Sequence, residues 1–289
     1  MKDWLFISIT DTFNYSMTLS IVIANWNTRT LIEECLNSIF ETTPQGELEY
    51  EVIVIDNAST DGSREYLHGL GNKIILIENH TNTGYAKACN QGMKAARGKY
   101  VLLLGSDTIM QKNTLKECVN FLETTEDAGA VACRLLNPDG SIQNSLKKFP
   151  KLKNAFYTYL SFNKLNREYD MADFDYNQTC TVEQAAATFL MIKKDLVEKI
   201  GWFDESYRIL YNDVDLCSRI WQNGKKIYFL HTVSIFHYGS HSTKNADYPL
   251  RKVMYSDIYR YYSRHFGFKA KFLYPILAFR LLIVSTIKA

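Results

Sequence analysis

Four short runs of buried-type residues, separated by turn and helix patterns, leave a chain of this kind little choice of fold. They are LSIVIAN (19–25), YEVIVID (50–56), KIILIEN (73–79) and YVLLL (100–104). Near-continuous apolar runs of this length read as strands buried on both faces. After the first, Thr28 stands where a helix cap belongs, and Leu31, Ile32, Cys35, Leu36, Ile39 and Phe40 keep helical spacing. After the second, Asn57-Ala58-Ser59-Thr60-Asp61-Gly62 is dense turn chemistry. Residues 84–97 again read as helix, with Ala86, Cys89, Met93 and Ala96 inward and Gly98 as the stop. Strand–helix units alternating four times by residue 104 predict an α/β fold: a mostly parallel central sheet with helices on both faces. Such sheets bind ligands beyond the carboxyl ends of their strands. Asn25, Asp56, Asn79 and Asp107 all fall at such ends.

The remainder of the chain continues less regularly. Residues 111–123 predict an amphipathic helix and AGAVACRLL (128–136) a strand, with NPDG (137–140) as a turn. Residues 146–180 show no clear period, which in a stretch that long points to a lid or binding loop. ATFLMIKK (187–194) reads as strand, residues 213–224 as a helix stopped by Gly224, and residues 225–237 as a long strand. Residues 249–266 and 270–287 look helical.

Length and composition suit one large globular unit: 289 residues, 46% hydrophobic and 22% charged, with no repeat or low-complexity tract. The formal charge of +2 is unevenly spread. Residues 244–289 hold nine Lys/Arg and two Asp/Glu, so +7, and the rest carries −5. A basic, aromatic tail on a mildly acidic body suits either an anionic surface such as a membrane or a solvated helical face. Within the tail, FLYPILAFRLLIVSTI (272–287) is short of the roughly 20 apolar residues that span a bilayer, and Pro275 and Arg280 interrupt it. An interfacial helix is expected, with Lys269 and Lys271 at headgroup level, or else packing on the catalytic body or on a second copy in a homo-oligomer. The six cysteines are scattered without a CxxC pair, which fits a reducing compartment. Residues 1–16 do not read as a signal peptide, because Asp3 interrupts the start and no small-residue cleavage site follows. The expected organisation is an extension (1–17), one domain (18–245, halves 18–108 and 109–245) and a helical tail (246–289).

Three carboxylate groups stand at positions that chemistry would use. Asp56 and Asp61, after the second strand, suit hydrogen bonds to a nucleobase or ribose, or plain turn formation. Asp107 suits a hard divalent cation that bridges a diphosphate, or a helix cap. Asp213 and Asp215, two apart on a helix, face different ways. One is expected to reach a pocket, while the other caps the helix or pairs with Arg219, four residues after Asp215. His237 and His241 follow a strand and offer imidazole nitrogens, as ligands or as structural groups. No GxGxxG, Walker loop, HExxH, GxSxG or nucleic-acid module occurs, so no nucleic-acid partner is expected.

The stretches LSIVIANWNT, VIVIDNASTDGS, NTGYAKACNQGMKAARGKYVLLLGSDT, GWFDESYRILYNDVDLCSRIWQNGKKI and FHYGSHST together resemble a family 2 glycosyltransferase of the GT-A fold, in the rhamnosyltransferase-like branch. The likeness covers about residues 18–243. It implies that the first strand end, Ala24, Asn25 and Asn27, with Asp56, Asn57 and Asp61, binds the nucleoside of a dTDP- or UDP-sugar. Asn82, Gly84, Lys87, Asn90 and Ser106 are then expected at the nucleotide and diphosphate. Asp107 matches the last aspartate of the metal-binding D-x-D element, His237 the later histidine of that site, and Asp213 the aspartate of the Glu-Asp motif, the general base. A divalent cation (Mg2+ or Mn2+), inversion at the sugar carbon and a glycan or lipid-linked acceptor in cell-surface polysaccharide synthesis follow from the likeness. The basic tail and its short apolar run add the expectation of a cytoplasmic enzyme, peripheral at the inner membrane face.

Two positions depart from the pattern. Gly105 replaces the first acidic residue of D-x-D, leaving one carboxylate for the cation. Asn212 replaces the glutamate before the base, and removing that charge should lower the pKa of Asp213 relative to a Glu neighbour. These departures keep a second reading open, a catalytically inactive nucleotide-sugar or glycan-binding module. A sugar-1-phosphate nucleotidyltransferase would need a glycine-rich loop after the first strand, and NWNTRT has no glycine.

Overall fold

The computed structural model describes residues 17–44, 46–239 and 248–287. The extension before Met17 and the His241-Ser242-Thr243 stretch lie outside the described residues. The first half is a run of parallel strands and covering helices: β1 (Met17–Asn25), α1 (Arg29–Thr42), β2 (Tyr50–Asp56), α2 (Ser63–Gly69), β3 (Ile75–Glu78), α3 (Tyr85–Ala95) and β4 (Gly98–Gly105). Next come β5 (Thr108–Met110), α4 (Thr114–Thr124), β6 (Ala128–Leu136), β7 (Leu146–Lys147) and α5 (Leu152–Tyr159). The chain continues with β8 (Cys180–Val182), β9 (Gln184–Ala185), β10 (Phe189–Lys193), α6 (Lys194–Ile200), α7 (Asn212–Gln222) and β11 (Lys226–His237). It ends in α8 (Tyr248–Phe266) and α9 (Tyr274–Ile287), joined by a 3-10 stretch, Gly267–Leu273.

The large sheet has the order β3-β2-β1-β4-β10-β6-β11-β5, with β8 added on β11, while β7 and β9 form a separate small pair. β3, β2, β1 and β4 are parallel, as the alternating pattern predicts. β10 enters antiparallel between β4 and β6 and turns its amino-terminal end toward the carboxyl ends of the first four strands. Side chains alternate across the sheet. Ile21, Ile23, Val52 and Val54 pack beneath α1, while Val22, Ile53, Ile55 and Leu103 pack under α3 and α7. Both faces are thereby covered, which is why these strands are apolar at nearly every position rather than at every second one; of the exceptions, buried Ser20 donates to buried Glu51 (2.6 Å).

Several local expectations need correction. Thr28 does not cap α1; its hydroxyl donates to Asn25 Oδ1 (2.6 Å). Asp61 takes over, its Oδ2 accepting the Arg29 N–H at 2.8 Å. Gly98 opens β4, paired with Met17, and does not stop α3, which ends at Ala95. The third strand is shorter than its apolar run, because Gly71–Lys73 forms a 3-10 turn. The 146–180 stretch contains a helix, α5, held by Asn154 Nδ2 donating to Asn166 Oδ1 (3.0 Å). The tail packs its inner face on the body: Ile258, Tyr262, Leu273 and Leu277 are buried with Ala155, Tyr207 and Val214.

Candidate active site

The carboxyl ends of β2, β1 and β4 form one polar rim, because the parallel register sets Asn25 beside Asp56 and Ala24 beside Gly105. Asp56 is fully buried, and its Oδ1 accepts from Asn25 Nδ2 (3.0 Å) while Oδ2 accepts the Ser59 N–H (3.0 Å). Arg64 stands 3.8 Å from the same carboxylate. Asn25 Oδ1 in turn accepts from Thr28, whose oxygen lies 3.1 Å from Ser106 Oγ. With the Thr28 proton already committed to Asn25, Ser106 is the donor in that pair. A continuous hydrogen-bonded chain thus runs from Asp56 to the residue before Asp107.

The outer wall of the rim is built by Asn57. Its Oδ1 accepts from Asn79 (3.1 Å) and from the Thr83 amide (2.9 Å), and its Nδ2 donates to Asn82 Oδ1 (2.9 Å). This folds the 79–84 loop over the strand ends. Gly84 has φ +86°, and a Cβ there would sit 3.0 Å from the Arg208 carbonyl, so both conformation and contact require glycine. Lys87 is exposed on the first turn of α3, and Asn27, at φ +53°, accepts the Thr60 N–H at 2.8 Å.

Asp107 and His237 meet at the other end of the rim. Asp107 Oδ2 is 3.4 Å from His237 Nε2. His237 Nδ1 lies 2.5 Å from Gln143 Oε1, and Gln143 Nε2 donates to Asn137 Oδ1 (2.9 Å). That network puts a proton on Nδ1 and turns Nε2 toward Asp107. One carboxylate oxygen and one oriented imidazole nitrogen suit a divalent cation whose other ligands are phosphate oxygens and water. Among the described residues no group of three or more His, Cys, Asp or Glu side chains is placed to hold a metal ion. Gly105 has a local reason: a Cβ there would come within 2.9 Å of Asp107 Oδ1. Glycine lets the Asp107 carboxylate fold back over the strand end.

Asp213 reaches the same rim from α7. Its Oδ1 accepts the Val214 N–H (2.8 Å), and the Ala187 amide is near enough to favour its charged form. The Ala187 carbonyl accepts from Tyr85 Oη (3.2 Å), and the next carbonyl, Thr188, accepts the Gly105 N–H (2.9 Å). The three-residue step before β10 therefore links Asp213 to the Asp107 turn. Tyr85 feels both carboxylates: burial first, and then the nearby charges of Cys89, Asp213 and Asp107, push its pKa well up. Burial raises the pKa of Asp213, more than the Val214 and Ala187 amides lower it. Asn212 bears on this base only in comparison with a Glu neighbour; against the ordinary carboxylate value burial sets the net direction, and it is upward. Asn212 itself is buried, accepting the Asp213 N–H (2.8 Å) and donating to the Ile209 carbonyl (3.3 Å).

Asp213 faces a cavity of about 350 Å3 lined by Tyr159, Tyr169, Tyr211, Tyr262 and Lys147. Asp215 points elsewhere, to Arg219 Nε at 2.9 Å, as the spacing of the pair predicts. Two other predicted residues have structural partners. Asp61 binds the amide of Arg29 and the amide and hydroxyl of Ser63, so it joins the starts of α1 and α2. Burial works against its charge, but these bonds, led by the Ser63 hydroxyl, hold its pKa below the ordinary value. Asn90 is buried and bonded to Phe203 N, Phe203 O and Glu205, which fixes the segment behind Gly84. Sequence reasoning missed Gln143, Tyr85, Ala187 and, on α8, Asp257. Their roles depend on contacts 90 to 110 positions away in sequence, or on backbone groups.

A parallel-stranded first half, an antiparallel β10 and carboxylates at one rim fit a protein of the GT-A fold. The chain belongs to glycosyl transferase family 2, whose family model matches residues 20–201. It is 25% identical over 238 residues to the putative teichuronic acid biosynthesis glycosyltransferase TuaG of Bacillus subtilis, covering 75% of this chain and 88% of that protein. It is 22% identical over 227 residues to the rhamnosyltransferase WbbL of Escherichia coli, covering 74% and 82%. The structure of the mannosyltransferase PcManGT of Pyrobaculum calidifontis, in complex with GDP-Man and Mn2+, superposes with a TM-score of 0.60 at 18% identity, over 96% of this chain and 77% of that one. Against the larger poly(ribitol-phosphate) transferases the match is partial, spanning 17% to 24% of their length.

Proposed function

We propose that this chain transfers a sugar, with inversion, from a nucleotide-sugar to a hydroxyl of a glycan or lipid-linked acceptor in cell-surface polysaccharide synthesis. One observation supports this above the rest: the 187–188 step at one end of the sheet accepts from the Gly105 amide, two residues before Asp107, and from Tyr85, which lies near the charges of both Asp213 and Asp107. The nucleoside lies along the Asn25–Asp56–Asn57 rim, with Asn82, Gly84 and Lys87 near the diphosphate. Asp107 and His237 hold a divalent cation, Mg2+ or Mn2+, which when bound neutralises charge on the departing diphosphate. Asp213 takes the proton of the acceptor hydroxyl as that oxygen attacks the anomeric carbon. The bond to the diphosphate oxygen breaks on the opposite face, so the configuration inverts. General-base assistance of this kind contributes about 10²–10⁴ in rate. Burial of Asp213 favours the role, because a raised pKa brings a carboxylate closer to the operating pH.

The likeness to TuaG and WbbL supports a cell-surface polysaccharide and makes dTDP-rhamnose the first donor to try, with UDP-hexoses next. No described helix is long and apolar enough to cross a membrane, and the basic tail favours a peripheral site at the inner membrane face. The test is a screen of sugar-nucleotides with Mg2+ or Mn2+, reading thermal midpoint and nucleoside diphosphate release together. A donor that stabilises the protein and is turned over supports transfer. A donor that binds but releases no diphosphate with any acceptor or water leaves the inactive binding module.

A further inference from the structure

Large apolar side chains are not spread evenly over this surface. Twelve are exposed among the described residues, and eight of these fall in two short segments, 160–165 and 268–282. Phe162 and Leu165 are 57% and 60% exposed, and Phe268, Phe272 and Phe279 are 70%, 64% and 63% exposed. Far apart in sequence, the segments are neighbours in space. Arg280 Nη1 donates to the Tyr159 carbonyl (3.0 Å) and the Thr158 carbonyl (3.3 Å), tying α9 to the end of α5. That contact turns the one cation of the described part of α9 inward, onto a helix carboxyl terminus where positive charge is favoured. The outward positions around it stay apolar. Cations border the patch instead: Lys164 lies between Phe162 and Leu165, and Lys271 Nζ sits 4.8 Å from the Phe268 ring centre. Exposed aromatic rings beside Lys164, Lys269 and Lys271, together with a tail (residues 244–289) that carries seven excess positive charges, match an anionic bilayer surface.

We propose that residues 160–165 and 268–282 form a single face that docks on an anionic bilayer and presents the Asp213 cavity to it. Tyr159 makes the connection. It lines the Asp213 cavity, and it lines a second, apolar groove of about 540 Å3 shared with Leu160, Pro275, Ile276 and Phe279. The groove opens on the docking face. The proposal rests on the transferase reading and narrows its acceptor class to one held in a bilayer, its lipid stem in the groove and its hydroxyl at Asp213.

The test is flotation of the full chain with vesicles of phosphatidylglycerol and phosphatidylcholine in equal parts, and with phosphatidylcholine alone. The wild type is expected to float with the first and much less with the second, and high salt should weaken binding. Phe162→Ser with Leu165→Ser, and separately Phe268→Ser with Phe272→Ser, should each weaken vesicle binding about tenfold or more, because each removes two large apolar side chains. These residues are exposed, so thermal midpoints should hold. Failure of the wild type to float on anionic vesicles overturns the proposal. So does wild-type binding by the 162/165 pair, or a stable dimer in sedimentation that the 268/272 pair dissolves. Diphosphate release with water as acceptor, measured on the same proteins without lipid, separates the two readings. If it is unchanged by the substitutions while flotation is lost, docking stands apart from chemistry; if no form releases diphosphate with water or with any acceptor, the transferase reading fails whatever the vesicles show.

Discussion

Replacing Asp257 with alanine tests whether the tail fixes the catalytic loop. The Asp257 carboxylate, 2% exposed on α8, accepts three successive amides: Arg208 at 3.3 Å, Ile209 at 2.8 Å and Leu210 at 3.0 Å. Burial pushes its pKa up, and the Leu210, Ile209 and Arg208 amides only partly pull it back. Alanine deletes the acceptor and leaves the donors. Arg208 is exposed and holds the longest bond, so water replaces it readily. The other two amides, each costing about 1–3 kcal/mol when orphaned, set a loss of roughly 2–6 kcal/mol. The far side of the loop stays fixed by the Tyr85 amide donating to the Arg208 carbonyl (3.0 Å). The loss should therefore appear as local opening of residues 208–214 more than as global unfolding. Since that loop runs directly into Asp213, kcat should fall about tenfold or more with the donor KM little changed. Hydrogen exchange should quicken at 208–214 and stay slow in β1–β4, and Asp257→Asn, keeping one acceptor oxygen, should recover part of both. Wild-type kcat and unchanged exchange in Asp257→Ala would refute the reasoning.

Other outcomes follow from the rim. His237→Ala and Gln143→Ala should both raise the cation concentration needed for diphosphate release, the second by about 10–100-fold, as loss of a ligand's orienting partner does. Gly105→Ala should leave the thermal midpoint nearly unchanged, because the atom it meets is the end of a flexible side chain, yet raise the same cation requirement by displacing Asp107. The raised pKa of Asp213 has two consequences. Transfer should rise with pH through a limb above the ordinary carboxylate value of 3.8. The folded state holds that proton more tightly than the unfolded one, so stability is greatest below the unfolded pKa and declines as pH rises through the folded pKa. Asp213→Asn should then raise the thermal midpoint at neutral pH, and the difference should shrink in acid.

The first half of the fold was legible because a strand buried on both faces writes itself as an unbroken apolar run. The strand ends that carry Asn25, Asp56 and Asp107 followed from that alone. Patterns failed where a partner lies elsewhere in the chain. Thr28 looks like a cap, but the acceptor for the Arg29 amide is Asp61, more than thirty residues on. Gln143 sits in a turn-rich stretch with no local sign that it orients His237. Asn90 matched a binding motif, yet burial on α3 commits its amide to Phe203 and Glu205. The tail read as basic and aromatic; that one of its carboxylates would hold the loop before Asp213, and that its Arg280 would turn inward, depends on packing no periodicity encodes.

The most direct measurement is made on Asp213→Asn: donor affinity by calorimetry with Mg2+ or Mn2+, and transfer by diphosphate release, on one preparation. Donor affinity should stay within about threefold of wild type, since Asp213 lies on the acceptor side, while transfer falls by about 10²–10⁴. Transfer near the wild-type rate, with binding intact, would contradict the assignment of Asp213 as the base.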